Sequence, residues 1–256
     1  MKIAVTGKGG VGKTTVAILL SNIFVKQGKK VLLIDADPDA DLAITLGIPE
    51  QIRQSFTPIS EMKDLIEERT GVKKGTLGGF FKLNPKVDDL FEKFAYKHNK
   101  ISLITLGGIK AGGSGCYCPE NVLLKRLIEH LVSQPDKKII LDMEAGIEHL
   151  TRGTAKFVDI LIIVVEPDIR SLKSAVTIKK LASEIGVRRI FVIGNKIRNN
   201  GDKKLIVTKI KEIPILGFIS YNHKILSADL EKEGLTLIDD SVLQNELNDI
   251  ESKLFV

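Results

Sequence analysis

Short apolar runs recur along this chain, and most of the segments between them carry apolar residues at helical spacing. A run of four to eight apolar residues bounded by turn formers reads as a strand buried on both faces. An amphipathic segment that follows reads as a crossover helix. Strands are expected over Lys2–Thr6, Lys30–Asp35, Ile101–Leu106, Lys138–Met143, Ile160–Glu166, Arg189–Asn195 and Ile215–Ile219. This βαβ rhythm predicts an α/β fold, a mostly parallel sheet flanked by helices. Lys73–Gly79 and Gly107–Gly115, rich in Gly and polar residues, read as loops inside the domain. Ile59–Arg69 has a helical pattern to which no role is assigned. The 256 residues suit a single domain, 1–256, with a full core.

Composition narrows the partners. The formal charge of +6 would suit a polyanion, yet Lys and Arg are interleaved with acids along most of the chain, so the excess reads as solvation. Nucleic acid is therefore not an expected partner. The N-terminal apolar run, Ile3–Val5, is too short for a cleaved signal, and Ile160–Val165 is too short to span a bilayer. A helical stripe of Leu243, Leu247, Ile250 and Leu254 is accompanied by Glu246, Asp249 and Glu251, acids that anionic lipid would repel. A cytoplasmic protein without membrane contact is expected.

Chemistry enters at Gly7-Lys8-Gly9-Gly10-Val11-Gly12-Lys13-Thr14-Thr15, which follows the first strand and opens a helix. Glycines let successive backbone N–H groups turn toward one anion, and the helix adds its positive end. Lys13 would then reach the terminal phosphates of a nucleotide and Thr14 would hold Mg²⁺. Parallel sheets bind ligands at the carboxyl ends of their strands, and two acidic clusters stand there. One is Asp35-Ala36-Asp37-Pro38-Asp39-Ala40-Asp41, where a cation or water is managed unless the acids are turn formers and caps, a reading that suits Asp39 and Asp35. The other is Asp142, which either begins a turn or holds the waters of Mg²⁺ in the Walker B role. Asn195 ends a later strand with an amide whose paired donor and acceptor match adenine's edge, or simply starts a turn.

With Lys8 at its entrance, the loop resembles the deviant Walker A motif of the P-loop NTPase superfamily that includes the nitrogenase iron protein and the MinD and ParA ATPases. That resemblance implies an ATPase that turns ATP into ADP and phosphate as a homodimer. Lys13 would act in cis, and Lys8 would cross the interface to the partner's nucleotide, with Gly9, Gly10, Gly12 and Thr15 completing the cradle. It also implies that Asp37 orients the attacking water, that Asp41 lies near the magnesium, that Gly146 senses the γ-phosphate and that Asn195 reads adenine. Glu144 and Ser220 stand where the superfamily more often has proline.

Both cysteines of the chain lie in Cys116-Tyr117-Cys118, a proximity that chance would give about one time in a hundred. A disulfide this short is geometrically tight and out of place in a reducing compartment. Pro119 suits the first turn of a helix with the stripe Leu124, Leu127, Ile128 and Leu131, which puts Cys118 near an N-cap, where thiolate is favoured. Two thiolates are half a tetrahedral metal site, and a twofold axis would supply the rest. Buried thiols without metal are the alternative. The segments Gly113–Asn121 and Asp142–Gly153 resemble the CooC-type ATPases of carbon monoxide dehydrogenase maturation. The likeness implies nickel insertion into that enzyme, with zinc or nickel on Cys116 and Cys118 between protomers. A ParA-like ATPase that binds DNA non-specifically through Arg188-Arg189 or Lys203-Lys204 is the rival reading.

Overall fold

The computed structural model describes residues 1–72, 81–107, 118–144, 155–231, 234–235 and 240–255. All of the expected loop at 73–79, nearly all of 107–115, Cys116 and Gly146 lie outside them. The strands are β1 (Lys2–Thr6), β2 (Val31–Ala36), β3 (Tyr96–His98), β4 (Ile101–Thr105), β5 (Lys138–Met143), β6 (Ile160–Val165), β7 (Ile190–Ile197) and β8 (Ile215–Ser220). The described helices are α1 (Lys13–Lys26), α2 (Leu42–Thr45), α3 (Glu50–Arg53), α4 (Lys63–Thr70), α5 (Leu90–Phe94), α6 (Pro119–Ser133), α7 (Ile169–Glu184), α8 (Asn200–Lys209), α9 (His223–Glu231) and α10 (Ser241–Leu254).

The strands form one sheet in the order β3-β4-β2-β5-β1-β6-β7-β8. Every pairing is parallel except that of β3 with β4. β1 lies between β5 and β6, so the chain leaves it toward one edge and returns across it to build the other. This is the switch point at which open α/β sheets place ligands.

The apolar runs are continuous because both faces are covered. Ile3 and Val5 of β1 join a core with Val16, Leu20 and Phe24 of α1 and with Leu243, Leu247, Ile250 and Leu254 of α10. Ala4 points the other way, into a core with Leu124, Leu127, Ile128 and Leu131 of α6 and Leu172 of α7. The C-terminal stripe is thus part of the interior. No helix among the described residues is long and apolar enough to cross a membrane.

Three local features depart from expectation. β3 was not anticipated: Tyr96-Lys97-His98 is a three-residue edge strand with no apolar run, turned back on β4 through Asn99 at φ 52°. Charged, short edges of this kind resist pairing with another chain. The helical pattern from Ile59 divides into a 3₁₀ turn at Ile59–Glu61 and then α4. β7 runs past Asn195 to Ile197, and its register against β8 shifts between Gly194 and Ile197, with Lys196 at φ 57°. That irregularity carries Asn195 and Lys196 to the nucleotide end of the sheet.

Candidate functional site

The loop leaving β1 is wound so tightly that two of its glycines have no substitute. Gly7 has φ 151°, and a Cβ there would strike the Val164 carbonyl of β6. Gly12, the N-cap of α1, has φ 89°, and a Cβ there would overlap the Asn195 amide. Asn195, only 5% exposed, donates from Nδ2 to the Val11 carbonyl at 2.9 Å. Lys196 donates to the Gly10 carbonyl at 2.5 Å and lies 3.4 Å from Glu166. The β7 bulge therefore braces the loop from beneath, and only the Nδ2 half of Asn195 is engaged in doing so.

Above the loop opens a cavity of about 500 Å³, a size suited to a nucleotide. Gly9, Gly10, Gly12, Lys13, Thr14 and Thr15 line one side, and Asp37, Asp39 and Asp41 line another. The cradle and the acidic segment, far apart in sequence, thus meet as expected. Asp39, read from sequence as a turn former or cap, lines the cavity too, as do Glu144, Ile44 and Thr45, to which no role was assigned. For the last two nothing in the local pattern pointed there; only the fold of α2 brings them in.

Lys13 is 8% exposed, with its Nζ 3.7 Å from Asp37 Oδ2. Asp37 also accepts from the Asp39 N–H at 3.2 Å. Asp35 is fully buried and accepts from the N–H groups of Leu42, at 3.1 Å, and Asp37, at 3.3 Å. It thereby folds the acidic segment, in keeping with its turn-former reading, while the N-cap of α2 is Asp41. Burial first, and the charge of Asp142 second, hold the Asp35 carboxyl well above the ordinary range.

Asp142 is 1% exposed and accepts the Thr14 hydroxyl at 2.8 Å through Oδ2, while its buried Oδ1 has no partner. Burial pushes its pKa up to about 7 against the pull of Thr14 and Lys13. A buried, partnerless carboxylate oxygen beside a hydroxyl at the phosphate end of the cavity is what a hydrated Mg²⁺ requires. The donor set is all oxygen and fits that ion, which Thr14 and Asp142 would hold between them.

Lys8 does not line this cavity. Its Nζ lies 3.9 Å from Asp168 Oδ1, and both side chains are 37% exposed. Asp168 caps α7, accepting from Arg170 and Ser171 N–H at 2.8 and 3.2 Å. Burial raises its pKa, but those N–H groups and the Lys8 charge outweigh it, so the carboxyl titrates below its usual range. Cys118 stands at the N-cap of α6 with Pro119 in the first turn, partly exposed. Among the described residues no three His, Cys, Asp or Glu side chains gather to hold a metal.

This fold and loop define a P-loop ATPase. Residues 2–235 match the CobQ/CobB/MinD/ParA nucleotide-binding domain, and the chain belongs to that family. It is 43% identical over 239 residues to the carbon monoxide dehydrogenase accessory protein CooC of Rhodospirillum rubrum, covering 93% of this chain and 90% of that one. An ATP-binding protein of Methanocaldococcus jannaschii is 47% identical over 253 residues, covering 98% and 96%. Among solved structures, the MinC:MinD cell division complex of Aquifex aeolicus matches with TM-score 0.69 at 24% identity, over 99% of this chain and 94% of that one, a likeness of fold.

Proposed function

We propose that this protein is a CooC-type accessory ATPase, acting as one nucleotide-switched domain in the cytoplasm, that closes into a homodimer on ATP and handles nickel for carbon monoxide dehydrogenase. The observation that carries the dimeric half is the position of Lys8. It belongs to the phosphate loop, yet its ammonium lies outside its own cavity, beside Asp168 on a half-exposed surface. A cation placed there serves a second nucleotide better than its own, and it makes hydrolysis conditional on closure. The metal half is supported by the 43% identity to CooC and by the cysteine pair that ends at the N-cap of α6.

In this reading Lys13 exchanges Asp37 for the β- and γ-phosphates. The freed Asp37 carboxylate orients the attacking water and accepts its proton. Mg²⁺ held by Thr14 supplies charge neutralisation on the phosphates. Gly146 reports the γ-phosphate, and Asp41 orders the water around the metal. Asn195 offers its Oδ1 to the exocyclic amine of adenine, one N–H of its Nδ2 being engaged by the Val11 carbonyl. Cys116 and Cys118 from two protomers hold zinc or nickel as cargo.

The test joins mass to metal content. With Mg²⁺, nickel and a nonhydrolysable ATP analogue, light scattering should report twice the 28.2 kDa of one chain. Plasma mass spectrometry should find one metal per two chains, lost in Cys116→Ser/Cys118→Ser. A monomer under those conditions defeats the dimer; metal retained by the cysteine variant defeats the site.

A further inference from the structure

At the end of the sheet opposite the nucleotide lies a second cleft, of about 620 Å³. We propose that it docks an acidic segment of a protein partner, an inference independent of the metal reading. Six lysines line it: Lys29, Lys30, Lys97, Lys100, Lys137 and Lys138. Glu92 and Asp136 are the acids in the lining, which leaves an excess of four positive charges in a chain whose total is +6.

Topology makes this cluster. Lys29-Lys30 precedes β2, Lys100 precedes β4, and Lys137 with Lys138 opens β5. Those strands are parallel neighbours, and Val31 is in register with both Ile101 and Lys138. Lysines separated by dozens of residues therefore end side by side across about 10 Å of sheet edge, two strand spacings. Among the described residues the ion pair recorded for these six is that of Lys97 with Glu92. Ammonium groups so crowded repel one another, and an acidic ligand relieves that repulsion.

The form of the cleft selects the ligand. The cations of a DNA-binding surface spread over a face or stripe that tracks the phosphates, whereas these six lysines line one cleft. A single strand requires open aromatic faces to stack on, whereas the Phe91 ring is covered by the ammonium groups of Lys97 and Lys137, 5.4 and 5.0 Å from its centroid. Among the described residues no glycine lines the cleft, in contrast to the phosphate loop, whose glycines let backbone amides turn toward one phosphate. The cations among the described lining residues are all lysines, flexible point charges that pair with carboxylates without fixed geometry. An extended chain covers about 10 Å with three or four residues, enough for several Glu or Asp side chains.

The experiment uses the full chain and a fluorescein-labelled oligoglutamate peptide, read by anisotropy. Binding should weaken steeply with added salt. It should fall at least about tenfold in Lys30→Gln/Lys100→Gln/Lys137→Gln, with ATP turnover unchanged as the check on folding. Carbodiimide coupling of the same peptide to the wild-type protein, mapped by mass spectrometry, needs no variant and should mark these lysines. The proposal is overturned by coupling scattered over the surface or by a variant that binds as well as wild type. It is equally overturned if tripolyphosphate or an oligothymidylate of equal charge binds more tightly than the peptide.

Discussion

Gly12→Ala tests how the loop is braced. At φ 89° an L-residue is strained by about 1–2 kcal/mol. The new Cβ would also displace the Asn195 amide, breaking its 2.9 Å hydrogen bond to Val11 and leaving buried polar groups unmatched, a loss of about 1–3 kcal/mol. Reduced freedom of the unfolded chain returns about 0.4–1 kcal/mol, so the net destabilisation is about 1–5 kcal/mol. Asn195→Ala alone forfeits the same hydrogen bond, about 1–3 kcal/mol, but clears the space that the Cβ needs. In the double variant the hydrogen bond is lost once and the overlap is gone, so the combined loss should fall short of the sum by about 1–3 kcal/mol. Urea unfolding of the four nucleotide-free proteins measures the cycle. Additivity within about 0.5 kcal/mol would show that Asn195 does not oppose a side chain at Gly12, and the bracing argument would be wrong.

Other outcomes follow from the same geometry. Lys8→Ala should leave nucleotide affinity nearly intact while lowering turnover by about a hundredfold or more, as cations supplied across an interface do; equal losses in both, by calorimetry and phosphate release, would place Lys8 in its own cavity. Lys13→Ala should instead weaken nucleotide binding directly, and unchanged affinity would remove Lys13 from the phosphates. The Asp142 carboxyl is raised from 3.8 to about 7, chiefly by burial, so the stability carried by its neutral form is whole below 3.8 and lost as pH rises through about 7. The nucleotide-free protein should therefore melt lower at alkaline than at mildly acidic pH. Asp142→Asn should flatten that difference, and an unchanged pH slope in its melting curves would show that another group is responsible.

The parts of this molecule legible in one dimension are those whose signal is local. β1, the glycine loop and α1 are contiguous, and each strand at the centre of the sheet is a continuous apolar run because helices cover both faces. β3 escaped because three polar residues at an edge need no apolar pattern. The extension of β7 escaped because a bulge depends on the partner strand, and nothing in Asn195-Lys196-Ile197 states where β8 will lie. Asn195 and Lys196 brace the loop for that reason, a role set by tertiary contact. Asp142 was legible as an acid after a strand; its buried oxygen without a partner was not.

Charge was the property least readable from order along the chain, and the parallel sheet explains why. In such a sheet every residue that precedes a strand lies at one end and every residue that follows lies at the other. Lys29-Lys30, Lys100 and Lys137 precede β2, β4 and β5, while Asp37, Asp39 and Glu144 follow β2 and β5. Interleaved as they are in sequence, these charges separate in space into a basic end and an acidic end. The rule is not absolute, since Asp159 precedes β6 and pairs with the Met1 amino group at 3.7 Å. The acids gather around the phosphate loop, where a magnesium–nucleotide complex would offset their repulsion, and the lysines gather at the opposite end of the sheet. Four excess charges held in one concavity raise the energy of the folded chain unless something anionic meets them. Removing them by the three Lys→Gln changes should therefore stabilise the isolated protein at low salt while it loses the acidic peptide. A variant that gained neither stability nor selectivity would mean the lysines are only solvated.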